Sequence, residues 1–138
     1  MDLRFDLIKL EQLRGCRVVE GSVIILLMDE LQPENFTDLS FPELVEITGF
    51  LMLYRISGIK SLNALFPNLA VIRGKKLFKD YSLIIYEGIN LEEIGLTKLQ
   101  TIVRGGVRIE KNNLLCFADR IDWAKIAPLS DLVISVNL

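Results

Sequence analysis

Few side chains in this sequence have the type and spacing that catalysis requires, and the acidic residues are the first candidates. Glu92 is followed directly by Glu93, and Glu110 stands beside Lys111. Because solenoid glycosidases place paired carboxylates on a sheet face, a carbohydrate enzyme is one class to weigh. The sequence contains no histidine, which removes most nucleophile triads and most zinc sites. We therefore interpret these carboxylates as surface charge at strand ends; only a pair that converges in a groove would support catalysis.

The remaining reactive groups also argue against an enzyme. The glycines in residues 74–76 and 104–106 lack the spacing of a phosphate-binding loop, and no helix pattern follows them. Cys16 and Cys116 lie near opposite ends of the sequence, and a bridge between them requires Cα atoms within ~7 Å of each other. We interpret both as buried or unpaired thiols. The sequence thus predicts a non-enzymatic protein that needs no metal and no cofactor.

Composition sets limits on the possible partners. The 138 residues are 51% hydrophobic and 25% charged, with a net charge of −2 and both signs interspersed. Nucleic-acid binding requires a basic stripe, which this distribution does not provide. The apolar run at residues 23–28 has the length of a strand and falls far short of the ~20 residues of a membrane span. No apolar leader is visible at the N-terminus, so we expect a mature, trimmed or engineered chain.

A repeated pattern organises the sequence. Each copy has a leucine, two further residues, a buried-type residue, then a glycine and an alternating apolar run; the copies begin at Leu13, Leu44, Leu69 and Leu99. Their irregular period is near the roughly 20–29 residues of leucine-rich coils. Period-two apolar residues turn one strand face inward, and coils must stack to bury that face. The repeat predicts a mainly β fold, a right-handed parallel β-helix, in a single domain over residues 1–138.

The two ends differ from the repeats, as capping segments do. Residues 6–15 carry Leu7, Leu10 and Leu13 at helical spacing, with Gly15 at the position that follows a helix. Residues 119–127 predict a short helix with Trp123 and Ile126 on one face, closed by Pro128. Residues 132–136 predict a last strand. The solenoid is therefore expected to be capped by short helices.

Several apolar residues stand at strand positions that alternate with the core positions and therefore point away from the core. If Leu51 and Leu53 point inward, then Met52 and Tyr54 point outward, and the same alternation turns Ile84 and Tyr86 outward. We expect Leu26 or Leu27, Phe78 and Arg108 on neighbouring rungs to complete a ladder across the sheet. A contiguous exposed apolar patch with charged edges is typical of a protein-binding site. Burial under a neighbouring loop or a flanking domain is the alternative.

Three stretches carry a resemblance to a known family. They are Leu13-x-x-Cys16-x-Val18-x-Glu20-Gly21, Phe66-Pro67-Asn68-Leu69-x-Val71-Ile72-Arg73-Gly74-x-x-Leu77-Phe78 and Arg104-Gly105-x-Val107-Arg108-Ile109-Glu110-Lys111-Asn112-Asn113. Together with Ile121-Asp122-Trp123, they closely resemble the first L domain of the insulin receptor and insulin-like growth factor receptor family. The resemblance runs without gaps from Asp2 to about Ile126. It implies a right-handed β-helix, an extracellular location and a hormone site on the central sheet, shared with a helical segment of the receptor α chain.

The resemblance also implies contact positions, and several coincide with the outward ladder. The positions that match the family's hormone-site surface are Asp2, Arg4, Leu26, Leu27, Met52, Tyr54, Phe78, Tyr86, Arg108, Glu110 and Lys111. With their neighbours Leu77, Ile84 and Glu87, they form the candidate ligand-binding set. We expect an insulin-like peptide hormone and the α-chain helical segment as partners, no insertion of this domain into a membrane, and a monomer in isolation.

Departures from the family pattern leave alternatives open. Phe5 and Ile24 replace polar residues, and Asp29 replaces an aromatic contact residue. The glycosylation sequons of the family are missing, and a new one stands at residues 35–37. The partner cysteines of Cys16 and Cys116 in the family fall outside this sequence. The protein is therefore either an engineered L domain or a divergent natural one, and a redesigned scaffold without hormone affinity is the alternative to a hormone-binding module.

Overall fold

The fold is known from a computed structural model that describes residues 3–5, 11–28, 40–127 and 132–134. Five elements of the sequence predictions lie outside these ranges. They are Asp2, the first part of the predicted N-terminal helix, Asp29 with the sequon at 35–37, Pro128, and the end of the predicted last strand. Within the described ranges, no helix is long and apolar enough to cross a membrane.

The polypeptide winds through two parallel sheets. The larger sheet has six strands in the order β1 (Leu3–Phe5), β3 (Val23–Met28), β5 (Leu51–Ile56), β7 (Tyr81–Tyr86), β9 (Gly106–Glu110) and β10 (Leu132–Ile134). The smaller sheet has four two-residue strands in the order β2 (Val18–Val19), β4 (Glu46–Ile47), β6 (Val71–Ile72) and β8 (Thr101–Ile102). Each full coil gives one strand to each sheet, and every neighbouring pair is parallel. The predicted parallel β-solenoid is confirmed.

The space between the sheets holds one continuous apolar core. Leu51 pairs in register with Leu83, and Leu53 with Ile85, and all four side chains are buried in the same cluster. The leucines of the repeat and the isoleucines three places later are also buried in this core. They are Leu44, Leu69, Leu99, Ile47, Ile72 and Ile102. The inward parity predicted for the large sheet is therefore confirmed. Burial of this kind is the main stabilising contribution to a stacked solenoid.

Polar groups at the coil corners bond to the backbone of the neighbouring coil. The buried Asn112 side chain accepts a hydrogen bond from the Gly88 backbone N–H (2.7 Å) and donates to the Ile85 carbonyl (3.1 Å). At another corner the Ser22 hydroxyl accepts from the Phe50 N–H (3.0 Å). Because a buried backbone group left unpaired is costly, these bonds fix how one coil sits on the next.

The C-terminal capping segment is shorter and less regular than predicted, and only part of the N-terminal one lies within the described ranges. A 3₁₀ turn at Glu11–Leu13 is the described part of the N-terminal cap, and it ends before Gly15, which adopts the expected left-handed conformation (φ 79°). The predicted helix over 119–127 is instead a 3₁₀ turn at Ala118–Arg120 followed by one α-helical turn, α1 (Trp123–Ile126). The extended backbone of Ile121 (ψ 138°) separates the two turns.

This break positions the tryptophan of the cap. Trp123 is buried and its indole N–H donates to the Ala118 carbonyl (2.8 Å), while Ile126 packs against the edge of the core. The expectation that Trp123 and Ile126 share the core-facing side of the segment is thus confirmed. The last strand is found at Leu132–Ile134, paired with β9.

Candidate protein-binding site

The outward face of the large sheet presents two rows of side chains. In the first row the registered residues are Ile24, Met52, Ile84 and Arg108. In the second row they are Leu26, Tyr54, Tyr86 and Glu110. Side chains on one strand alternate between faces, so the inward packing of the core obliges these residues to face outward. The predicted outward direction of Met52, Tyr54, Ile84 and Tyr86 agrees with this arrangement.

The outward rows are only partly open to solvent. Ile24, Phe50 and Ile84 form a second, smaller buried cluster on this face. Leu26, Met52, Tyr81 and Tyr86 pack against the same cluster and stay half-buried. Ile84 was predicted to be exposed and is instead 4% exposed. Its parity is as predicted, but neighbouring rings cover it.

Phe78 does not lie on a strand of the large sheet, which corrects the predicted ladder. It belongs to the connection between β6 and β7, where it exchanges two backbone hydrogen bonds with Tyr81 (2.9 and 2.8 Å). Lys79 and Asp80, between them, take left-handed conformations (φ 47° and 75°), which closes a tight turn. The Phe78 ring lies 6.0 Å from the Phe50 ring and is 37% exposed. Phe78 therefore reaches the sheet face from a loop above one edge.

Leu26 and Arg108 fall in different rows of the outward face. Arg108 shares its row with Ile24, whereas Leu26 shares its row with Tyr54. The reason is register, because Leu26 is two residues beyond Ile24 along β3 and falls on the next rung of the same face.

Between the loop and the sheet runs an open groove with a volume of about 630 Å³. It is lined by Ile24, Leu26, Phe50, Met52, Tyr54, Lys76, Leu77, Phe78, Lys79, Tyr81, Ile84, Tyr86 and Arg108. This volume is within the range of ligand-binding clefts, and an apolar floor with a few polar groups at its edge is typical of them.

Aromatic rings and cations organise one side of the groove. Tyr54 and Tyr86 stack in parallel, with ring centroids 5.3 Å apart and planes at 7°. The Lys111 amine lies 5.6 Å from the Tyr86 ring centroid. Hydrogen bonding to the Tyr86 hydroxyl raises the pKa of Lys111 above its ordinary value. Lys111 is therefore a stable positive charge at this edge.

Arg108 is held in a defined place on the same face. Its guanidinium lies 5.7 Å from the Tyr81 ring centroid and 3.0 Å from the Glu110 carboxylate. Nearby, Arg55 and Glu87 form a surface ion pair at 3.4 Å. A planar guanidinium beside an aromatic ring is already partly ordered, which lowers the entropy cost of binding a partner there.

The sheet and the connection between β6 and β7 bring together most of the candidate set. The predicted residues that line the groove are Leu26, Met52, Tyr54, Leu77, Phe78, Ile84, Tyr86 and Arg108. Glu87, Glu110 and Lys111 stand at the ends of the same strands, and the Arg4 backbone pairs with Ile24 at the far edge. Leu27 follows Leu26 on β3, and its side chain lies outside the description. Asp2 lies outside it entirely.

Sequence reasoning missed five groove residues: Ile24, Phe50, Lys76, Lys79 and Tyr81. Phe50 immediately follows the repeat glycine Gly49, and this aromatic residue ahead of a strand was the available signal. The candidate carboxylates occupy separate elements. Glu92 and Glu93 sit at a coil corner where both backbone N–H groups bond to the Lys60 carbonyl.

Sequence comparison assigns this fold and its groove to a family of receptor domains. The chain matches the Receptor L domain family over residues 15–127, and it belongs to that family. It is similar to the insulin-like growth factor 1 receptor of Xenopus laevis, with 51% identity over 126 residues, or 91% of the present chain. It is 50% identical to the insulin-like peptide receptor of Branchiostoma lanceolatum over 127 residues, 92% of its length. The aligned part is 9% of the length of each receptor.

Proposed function

We propose that this protein is a hormone-binding L domain that takes an insulin-like peptide on the outer face of its large sheet. The observation that carries the proposal is the groove of about 630 Å³, whose floor is apolar and whose edge is aromatic and cationic. Amphipathic helices bind such grooves through apolar residues spaced one turn apart. The relatives named for insulin-like peptides support a hormone of this class.

The centre of the proposed contact is formed by Phe78, Tyr54 and Arg108. Aromatic residues and arginine dominate binding hot spots because they bury a large area with few rotatable bonds and offer planar donors. Phe78 projects from the loop, Tyr54 is stacked on Tyr86, and Arg108 is ordered by Glu110. The site is thus largely formed before any partner arrives.

A second element completes the proposed site. A helical segment of the receptor α chain lies in the groove, covers its apolar floor and gives the hormone a second wall. The isolated L domain therefore binds hormone weakly, since a partial contact area must still offset the loss of translational and rotational freedom. In this function the domain is extracellular and monomeric when isolated, and a neighbouring part of the receptor supplies the helical segment.

Calorimetric titration tests the proposal. Insulin is titrated into the wild-type protein alone and then into the protein saturated with a synthetic peptide that reproduces the helical segment from the end of the receptor α subunit. We expect weak binding without the peptide and tighter binding with it. Phe78→Ala should lose about 2 kcal/mol or more of the peptide-dependent affinity, and it should change the melting temperature little because the ring lies outside the main core.

Phe117→Ala is the matched control. Phe117 is also an exposed aromatic residue, 63% exposed, but it precedes the C-terminal 3₁₀ turn and does not line the groove. We expect this variant to bind as the wild type does. Absence of binding by the wild type at high micromolar concentrations of both ligands would favour a scaffold without hormone affinity. Wild-type affinity in the Phe78 variant would place the site elsewhere.

A further inference from the structure

The charged side chains that line the groove all have one sign. The ionisable side chains that line it, among the described residues, are Lys76, Lys79 and Arg108, together with tyrosines and no carboxylate. The protein as a whole carries a net charge of −2. A cationic groove on an acidic protein is a local feature of this face and does not follow from overall composition.

The positions of these cations relate them to the apolar contacts. The Lys79 amine lies 5.7 Å from the Phe78 ring centroid, and the Arg108 guanidinium lies 5.7 Å from the Tyr81 ring centroid. Both rings border the cluster of Ile24, Phe50 and Ile84. A segment that packs on the rings therefore brings its flanking residues within reach of the cations.

The two cations are not equivalent. Arg108 already bonds to Glu110 (3.0 Å), which offsets part of its charge. Lys79 stands on the exposed loop beside Phe78, and its backbone is fixed by the tight turn (φ 47°). The carboxylates of Glu87 and Glu110 lie at the opposite ends of the strands, whereas Asp80 follows Lys79 in the turn and does not line the groove.

Resting on the proposed function, we propose that the groove selects a helical segment whose apolar face is bordered by a carboxylate next to the residue that contacts Phe78. Lys79 is the principal specificity-determining residue, and Arg108 is secondary. A carboxylate at this position of the segment is attracted by the positive charge of Lys79, which the bound segment partly desolvates. A lysine at the same position is repelled by it. Such complementarity acts more on the choice of partner than on total affinity.

Three synthetic helical peptides test this inference. They share one apolar face of leucine and phenylalanine at i, i+4 and i+7 and differ only in the flanking residue, which is Glu, Gln or Lys. Fluorescence anisotropy at low ionic strength should show the Glu peptide binding about threefold or more tighter than the Gln peptide, and the Lys peptide binding most weakly. Added salt should reduce these differences, because the charges are near the surface.

Variants of one loop assign the effect to its residue. Lys79→Gln should lower the preference for the Glu peptide over the Gln peptide about threefold. Lys79→Glu should shift the preference to the Lys peptide. Lys75→Gln is the matched control, because Lys75 belongs to the same loop and is exposed but does not line the groove.

The outcomes separate the inference from the proposed function. Equal binding of all three peptides to the wild type would overturn the inference and leave an apolar groove intact. An equal effect of the Lys79→Gln and Lys75→Gln substitutions would also overturn it, because overall charge would then explain the preference. Binding of none of the peptides would overturn both the inference and the use of this groove for a helical segment.

Discussion

Adjacent residues on β5 have opposite roles. Leu53 is buried in the main core between the two sheets, whereas Met52 is half-buried on the outer face beside Ile24 and Ile84. The alternation of side chains along a strand separates them, although both are unbranched at Cβ and similar in size. Leu53 contributes to the stability of the solenoid, and Met52 forms part of the surface of the groove.

Truncation of these two residues should therefore give different stabilities. We expect Leu53→Ala to lower the free energy of unfolding by about 2–5 kcal/mol, because it leaves a cavity in the core. Met52→Ala should cost clearly less, since Met52 packs on one side only. Chemical denaturation of both variants measures the difference. Equal losses would show that the assignment of inward and outward faces is wrong.

Ile84 shows what parity alone predicts at a single position. Alternation along β7 correctly turned its side chain away from the main core, but it did not predict burial on the outer face. That burial comes from Phe50, which precedes β5, and from packing that only the strand register defines. Direction is a local property of a strand, whereas exposure depends on neighbours that are distant in sequence.

At the scale of elements, the connection between β6 and β7 differs most from the sequence prediction. The third copy of the repeat predicted that the apolar run after Gly74 includes Leu77, but β7 begins only at Tyr81. The left-handed backbone at Lys79 and Asp80 creates the extra turn. These residue types do not require such a conformation, so the sequence contained no clear signal for it. The proposed centre of the site depends on this turn.

The corner at Gly74 gives an element-scale prediction. Its backbone is left-handed (φ 66°), and a Cβ there would overlap the carbonyl oxygen of Arg104 on the next coil. Gly15 is also left-handed (φ 79°), but a Cβ there meets nothing. Gly15→Ala should therefore cost only the conformational strain, about 1–2 kcal/mol. Gly74→Ala should cost more, because the corner must also move.

Thermal unfolding of the two glycine variants compares strain with crowding. We expect the melting temperature to fall in both variants and to fall further in Gly74→Ala. A larger fall for Gly15→Ala would contradict the close stacking of the third and fourth coils at this corner. The Gly74 N–H and carbonyl also bond to neighbouring coils, at Gly49 and Arg104, which is further reason to expect sensitivity there.

At the scale of the whole molecule, the repeated glycines and period-two residues were enough to predict a parallel solenoid with its core between the sheets. They also predicted much of the outer face, including Met52, Tyr54 and Tyr86. They did not predict the cationic edge formed by Lys76 and Lys79, because those residues come from a loop whose path is set by long-range packing. The sheet was predictable from local periodicity, and the groove was not.

The order of the coils gives a prediction for the cysteines. Cys16 lies just before β2 on the first coil, and Cys116 lies beyond β9, where its backbone N–H bonds to the Glu92 carbonyl. Both are free thiols in the structure, and Cys116 is exposed. Three steps between strands separate β2 from β8 in the smaller sheet. At about 4.8 Å for each step, the first and fourth coils lie roughly 14 Å apart. This distance is well beyond the ~7 Å between Cα atoms that a disulfide allows.

We therefore expect two titratable thiols in the monomer after denaturation without reductant. The monomer is isolated by size exclusion before a thiol reagent is added, so that bridges between molecules do not enter the count. A reduced sample of the same monomer is the control and should give the same count. If the unreduced monomer shows no thiol and the reduced one shows two, the cysteines are joined within one molecule. The first and last coils would then be neighbours, and the linear stack of coils would be wrong.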